Sequence, residues 1–302
     1  AGAAVARLSL SGNFITGSRD EGDFFPDWKY DLDLSGLTSL CDALLTLKNP
    51  IELDLSECGL SVNGVSQVAK AISAGAAVEA IAIGANPITS EGGAILLETI
   101  KTSKLKTIDI GKPLPLQEPY ESDTLDLSNT KMDPGHVLLL SWWLTTDASA
   151  AVTSINCLAN KFGEEDLATL LTAIEGTSVR SLCGLTEGQT TADFSGQNLG
   201  PIDMKIMAAE YGFQGFIAVV NSVTVDGNPI GYPSAASVKP GAVTGVAVKK
   251  GVFAAVDARF GEVEDDPNEY DEIKLRWLDD DSESEWTKVD KLTSVVASRV
   301  DL

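Results

Sequence analysis

The sequence predicts an α/β protein in which strand–turn–helix units repeat along the chain and a small all-β domain follows them. Three observations lead to this prediction. A short motif of alternating apolar residues recurs at a nearly fixed spacing, helical periodicity follows several copies of it, and short strand-like runs replace both patterns towards the end. We expect domains at 1–232 and 246–302, with a linker at 233–245 rich in Pro, Ser and Gly.

The strand of each unit is predicted from an alternation of apolar and polar residues. In IELDLSECGL, residues 51–60, the alternation indicates a strand with one buried face. The same motif recurs as Leu8-Leu10-Asn13-Ile15, Leu53-Leu55-Cys58-Leu60, Ile81-Ile83-Asn86-Ile88, Leu125-Leu127-Thr130-Met132, Ile155-Cys157-Asn160-Phe162, Ala192-Phe194-Gln197-Leu199 and Val223-Val225-Asn228-Ile230, with weaker copies at Leu32-Leu34 and Ile108-Ile110. Leu53 and Ile81 are 28 residues apart, and Ile81 and Ile108 are 27 apart.

The Asn or Cys of the motif is expected to lie beneath a sharp turn that follows the strand. An Asn side chain there can hydrogen-bond to buried backbone groups, and neighbouring Asn residues would form a ladder. A Cys is small enough for the same position and has a weak S–H donor.

Helices are predicted where the apolar spacing changes to a period of about 3.6 residues. These stretches are 64–75, 91–104, 134–144 and 164–176. The segments 21–31 and 112–123 are interpreted as insertions, and at 112–123 and 178–200 we expect a repeat that has lost its helix. His136, at a helix start, is expected to be structural or solvated.

The repeated motif resembles the leucine-rich repeat family, in particular its ribonuclease-inhibitor-like subclass, which has 28-residue units and true α-helices. The resemblance covers about residues 5–232, and SLCGL…ADFSGQNLG is similar to repeat proteins of algae and other protists. It implies a horseshoe-shaped solenoid with parallel strands on the concave face and helices outside.

The resemblance also implies that the chain binds other proteins through the concave face. Polar strand positions predicted to face outwards there are Asp33, Asp54, Asp109, Asp126 and Asn156. They are either ordinary solvated positions or an acidic recognition face for a basic partner. A net charge of −22 opposes binding to nucleic acids and to anionic membranes.

Residues 251–295 contain five short strand-like runs, and GVFAAV…RFGEVE…EIKLRWL…EWTKV resembles an SH3-like barrel of the Tudor class. The aromatic candidates for a binding site are Phe253, Phe260, Tyr270, Trp277 and Trp286. They form either the core of a small domain or an open cage for a cationic or methylated side chain. The barrel would then be a reader or a cap on the repeats.

Little in the sequence favours catalysis or metal binding. His136 is the single histidine, the four cysteines are far apart, and no nucleophile is placed beside a base. We expect no enzyme activity, no cofactor and no metal. Buried thiols favour a reducing, intracellular and cytoplasmic location, and no run is apolar enough to span a membrane.

The expected function is a non-catalytic, protein-binding scaffold or adaptor. The alternative is a permanent structural subunit of a flagellar, photosynthetic or cytoskeletal complex, which would bury Trp142 or Trp143 and the FFPDW segment at 24–28 against its neighbours. A GTPase-activating role, as in the Ran GTPase-activating protein, has less support because Arg7, Lys161 and Arg180 match no position required for it.

Overall fold

The structure, a computed structural model, describes residues 5–21, 28–210, 212 and 219–230, and then the segments 242–243, 253–256, 259–263, 272–277, 284, 286–288 and 294–296. The chain divides into two compact units. The first comprises 1–194 with 205–224, and the second comprises 195–204 with 225–302. The predicted linker at 233–245 lies almost wholly outside the described residues.

The first unit is a mixed α/β structure with a largely parallel sheet, as the sequence predicts. Its strands are β1 (Arg7–Ser9), β2 (Arg19–Asp20), β3 (Trp28–Lys29), β4 (Ile51–Asp54), β5 (Val78–Ala82), β6 (Thr107–Asp109), β7 (Pro113–Pro115), β8 (Thr124–Asp126), β9 (Ser154–Asn156), β10 (Thr191–Asp193) and β11 (Ser222–Thr224). The helices of the chain are α1 (Ser35–Leu44), α2 (Val62–Ser73), α3 (Thr89–Thr102), α4 (Pro134–Trp143), α5 (Glu164–Ile174) and α6 (Pro201–Glu210), with a 3-10 turn at Asp147–Ser149.

The largest sheet has the strand order β1-β4-β5-β6-β7, and its first four strands are parallel. The register aligns the apolar residue at the centre of each strand: Leu8 with Leu53, Leu53 with Ile81, and Ile81 with Ile108. Leu53, Ile81 and Ile108 are buried. Each of the helices α2 to α5 contacts the helix before it. Consecutive strand–turn–helix segments are therefore neighbours.

All four predicted helices are confirmed, and each begins and ends within two residues of its expected position. Helices α1 and α6 were not predicted from the sequence. The expected strand at Leu32–Leu34 is wrong, because this segment leads directly into α1. The backbone N–H of Asp33 donates instead to the carbonyl of Thr16, 2.9 Å away.

The segment 112–123 contains no helix, as expected. After β6 the chain turns back and β7 pairs antiparallel with β6, and no helix forms between 110 and 133. Trp143 of α4 packs against this insertion: its indole N–H donates to the carbonyl of Pro115 at 2.7 Å, and its ring meets Tyr120 edge-on at 5.6 Å. Residues 178–200 likewise contain no helix.

The role predicted for Asn and Cys beneath the turns is confirmed at Asn86 and Cys58, whereas Asn13 is exposed and its side chain bonds only within its own turn. Asn86 is buried, its side-chain oxygen accepts from the backbone N–H groups of Cys58 and Leu60, and its amide donates to the carbonyls of Leu55 and Ile83. Asn86 therefore joins its own turn, after β5, to the turn that follows β4. The Cys58 thiol donates in the same way to the carbonyl of Leu10, 3.0 Å away. Burial raises the pKa of Cys58 to about 11, so the thiol keeps its proton.

His136 is fully buried and links α4 to Ile83, the residue that follows β5. Its Nε2 atom lies 3.2 Å from the carbonyl oxygen of Ile83, and its Nδ1 atom lies 2.7 Å from a carboxylate oxygen of Asp133. Asp133 caps α4 and also accepts from the backbone N–H of Thr89. The expected structural role of His136 is therefore what the structure shows, and the solvated alternative is wrong.

The second unit contains short strands at the predicted positions, and a further strand, Ala242–Val243, lies within the segment predicted as a linker. These are β12 (Ala242–Val243), β13 (Phe253–Val256), β14 (Arg259–Val263), β15 (Glu272–Ile273), β16 (Leu275–Trp277), β17 (Thr287–Lys288) and β18 (Ser294–Val296). They form a sheet of order β12-β18-β13-β14-β16 and a separate pair, β15-β17. All pairs are antiparallel except β12 with β18.

Candidate functional site

The strands of the large parallel sheet carry polar side chains on the side opposite the buried leucines. We call this surface the polar sheet face, and it comprises Arg7, Ser9, Glu52, Asp54, Ala80, Ala82, Thr107 and Asp109. The register forms two rows across the strands. One row runs Arg7-Glu52-Ala80-Thr107, and the other runs Ser9-Asp54-Ala82-Asp109.

Asp54 is half-buried and is held by β1. Its Oδ2 atom accepts from the hydroxyl of Ser9 at 2.8 Å and lies 3.6 Å from the guanidinium of Arg7. Burial by itself would raise the pKa of Asp54, but the hydrogen bonds from Ser9 and Ser56 and the charge of Arg7 outweigh it and lower the pKa. Asp54 is therefore ionised at neutral pH.

Asp109 lies in the same row as Asp54, with Ala82 between them. Its Oδ1 atom accepts from the backbone N–H of Gly111 at 2.7 Å. Burial raises the pKa of Asp109 above its ordinary value, and the negative charge of Asp54 adds to the shift. An additional positive charge at this place would thus stabilise the ionised form of Asp109.

The other predicted recognition residues lie elsewhere in the first unit. Asp126 and Asn156 are opposite each other on the parallel pair β8-β9, which is a separate sheet. Asp33 is exposed and lies in the segment before α1 rather than in a strand. The hydrogen bonds from the hydroxyl and the backbone N–H of Ser35 lower the pKa of Asp33. The structure therefore brings together two of the five residues, Asp54 and Asp109, on the polar sheet face.

All five residues share a local contact that the sequence analysis did not predict. In each case a side-chain oxygen accepts a hydrogen bond, between 2.7 and 3.2 Å long, from the backbone N–H two residues further along. The pairs are Asp33 with Ser35, Asp54 with Ser56, Asp109 with Gly111, Asp126 with Ser128, and Asn156 with Leu158. This is the turn for which Asp and Asn are preferred, and it accounts for their recurrence at this position.

Three further residues shape the polar sheet face and were not predicted from the sequence. Arg7 and Ser9 contact Asp54, and Ala82 leaves a gap between the two carboxylates. Their alternation with Leu8 and Ile81 is the signal that could have identified them, because alternate strand residues point to the same side of a sheet.

A buried carboxyl group lies at the last residue of α6. Glu210 accepts from the hydroxyl of Ser181 at 2.5 Å and from the backbone N–H groups of Leu182 and Cys183 at 2.9 and 3.4 Å. Burial raises the pKa of Glu210. Residues 181–183 form only isolated bridges to β9, so Glu210 satisfies backbone donors that a strand would otherwise pair.

The aromatic candidates of the second unit are described only in part. The Trp286 side chain is 51% exposed, and the ammonium group of Lys274 lies 5.6 Å from the centre of its ring. Trp277 belongs to β16 and pairs there with Gly261 of β14. Phe253 is the first residue of β13, and Phe260 lies within β14. Tyr270 lies outside the described residues.

The four cysteines are buried and none forms a disulfide, as expected. Within the parts of the chain that the structure describes, no group of His, Cys, Asp and Glu side chains is arranged to hold a metal ion. None of the described helices has both the length and the apolar content needed to cross a membrane. No protein-family model matches the sequence, and no curated protein is significantly similar to it.

Proposed function

We propose that the chain is a non-catalytic scaffold whose first unit is a leucine-rich repeat solenoid and binds a basic protein segment on the polar sheet face. The solenoid assignment is supported by the 27- and 28-residue spacing, the parallel register of β1, β4, β5 and β6, and the contacts between consecutive helices. The side chain of Asn86, which joins two consecutive turns, adds to this support.

The observation that carries the binding proposal is the register Asp54-Ala82-Asp109. Neighbouring strands are about 4.8 Å apart, so the backbones beneath the two carboxylates are separated by about 9 to 10 Å. A methyl group alone projects between them from β5. A Lys or Arg side chain of a partner fits such a gap and would be within reach of both carboxylates.

The charges of the two carboxylates support a cationic rather than a neutral ligand. Ionised Asp54 and half-buried Asp109 repel each other, which is one reason why the pKa of Asp109 is raised. Arg7 offsets this repulsion only partly, because its side chain is 65% exposed and its contact with Asp54 is 3.6 Å long. A partner cation would replace water beside both carboxylates and favour the ionised form of Asp109.

The test uses a fluorescently labelled peptide of alternating Arg and Gly residues, with binding measured by anisotropy at low and at physiological salt. The variant D54N/D109N keeps the amide oxygens that the two turns require, but removes both charges. We expect it to weaken binding by about tenfold at low salt, since each lost charge pair contributes up to about 1 kcal/mol. Binding to the unmodified chain should strengthen as pH rises through the raised pKa of Asp109.

The matched control is E91Q/E165Q, which changes the net charge by the same amount at two exposed helix positions. This variant should alter the affinity less than about twofold, because the peptide is expected to contact the sheet face rather than the helices. Equal weakening by both double variants would show that the peptide responds only to net charge, and the proposed site would then be wrong.

The permanent-subunit alternative has weaker support. Trp143, one of its expected anchors, is fully buried inside the first unit and hydrogen-bonded to Pro115, so it is not accessible to a neighbour. Trp142 is half-buried, and Trp28 of the FFPDW segment is 39% exposed. Residues 24–27 lie outside the described residues.

We propose an SH3-like barrel for the second unit. The antiparallel succession β18-β13-β14-β16 supports this fold. Lys274 beside the ring of Trp286 supports a cation-accepting surface, since an aromatic face attracts a positive charge. The test is a titration of the K274A chain with trimethyl-lysine, followed by NMR of the indole N–H signals. Because K274A removes the ammonium group from the Trp286 ring, we expect tighter binding than to the unmodified chain. No shift of these signals in either chain would contradict the proposed surface.

A further inference from the structure

Strand β1 forms one edge of the large parallel sheet. In its pairing with β4, the carbonyl of Ala6 accepts from the backbone N–H of Glu52. The N–H of Leu10 donates to the carbonyl of Asp54. Because successive residues of a strand direct their backbone groups to opposite edges, the N–H and C=O groups of Arg7 and Ser9 point away from β4. Among the described residues, no strand pairs with that outer edge.

Six of the ten large apolar side chains that are exposed among the described residues lie between 5 and 47. The large apolar residues that are exposed there are Val5, Phe14, Trp28, Leu32, Leu45 and Leu47. From 48 to 210, the structure leaves no large apolar side chain exposed. Leu8 is only half-buried, whereas its register partner Leu53 is 2% exposed, in keeping with a strand that has one neighbouring strand among the described residues.

The exposed aromatic residues are already ordered against one another. The rings of Phe14 and Trp28 are 5.1 Å apart, and Trp28 stacks on Tyr30 at 6.1 Å. Residues 5–50 include four basic and seven acidic residues, a net charge of −3. Arg7 of β1 lies 3.6 Å from Asp54 of β4, so this edge of the sheet carries a charge of each sign, which a two-fold pairing of two copies can match.

We propose that β1 pairs with β1 of a second copy of this chain, antiparallel and centred on Leu8. A two-fold axis there places Arg7 of one copy opposite Ser9 of the other, so that their outward N–H and C=O groups exchange hydrogen bonds in both pairs. Since the Ser9 hydroxyl bonds to Asp54, the guanidinium of Arg7 also reaches the carboxylate of the second copy. The two parallel sheets become one continuous sheet, and both copies of Leu8 gain a neighbour. This proposal does not require the basic ligand proposed above, although both involve Asp54.

The test is sedimentation velocity of the full chain between about 1 and 100 μM, the range in which a homodimer of modest affinity dissociates. We expect a concentration-dependent dimer. The variant R7P removes one outward N–H from each copy but none of the groups that pair with β4, so its dimer dissociation constant should rise by about tenfold or more. R7A, which keeps this N–H, should weaken the dimer less than R7P does.

A second variant keeps the test decisive if R7P folds poorly. Directly opposed residues in a non-hydrogen-bonded antiparallel pair lie about 4.5 Å apart at Cα, close enough for a disulfide. L8C should therefore form a covalent dimer under mild oxidation, whereas R19C, at an exposed position of β2, should not. A chain that stays monomeric throughout, or a dimer that R7P leaves unchanged and L8C does not cross-link, would overturn the proposal.

Discussion

Replacing Asn86 with Ala tests the interaction that joins consecutive repeat turns. Its side chain is 2% exposed and makes four hydrogen bonds of 2.8 to 3.0 Å, to the N–H groups of Cys58 and Leu60 and to the carbonyls of Leu55 and Ile83. Each bond contributes about 1 kcal/mol net, and each buried group left unpaired costs at least as much. We therefore expect N86A to lower the free energy of unfolding by about 4 kcal/mol, a large part of the total for most domains.

The measurement is urea unfolding followed by circular dichroism, with the free energy of unfolding obtained by linear extrapolation. Asn13 provides a matched control, because it has the same position in the first motif but is exposed and bonds only to the carbonyls of Leu10 and Ser11. N13A should therefore cost about 1 kcal/mol or less. If N86A costs no more than N13A, Asn86 does not hold the turns together and our account of the repeat is wrong.

Two further predictions concern helix packing and a buried carboxyl group. In G135A, the new methyl would lie 2.2 Å from the carbonyl oxygen of Thr89, so we expect the free energy of unfolding in urea to fall by about 3 kcal/mol. The control G36A is also at the second residue of a helix but has open space around it, so it should be neutral or slightly stabilising. Equal losses in the two variants would contradict the packing argument. Because burial raises the pKa of Glu210 above its ordinary value of 4.5, its stabilising contribution is full below that pH and declines as pH rises through the raised pKa. E210Q cannot titrate, so the difference in unfolding free energy between E210Q and the unmodified chain should change across this pH interval; a constant difference would mean that Glu210 does not titrate as inferred.

The repeat was predictable because it depends on the local periodicity of apolar residues. A residue such as Leu53 or Ile81 is buried because of its place in the alternation, and Asn86 bonds beneath a turn that lies only three residues after its strand. The same local information located helices α2 to α5 within two residues. For α1, Leu34 and Ser35 continue directly from a weak copy of the strand motif, so the alternation masked the helix start.

The candidate site was predictable only in outline. Alternation identified Asp54 and Asp109 as polar strand positions, but their common row depends on the register between β4, β5 and β6. The turn hydrogen bond that each of them accepts is local, and the preference of Asp for such turns could have revealed it.

The amino-acid sequence by itself determined the repeating unit, since which face of a strand or helix is buried follows from residues within one unit. Tertiary structure alone decided the burial of His136, which bonds to Ile83, 53 residues away, and the position of Glu210 against residues 181–183. It also decided that β7 takes the place of a helix beside β6. These contacts join segments that are distant along the chain, and no periodic pattern in either segment encodes which partner it will meet.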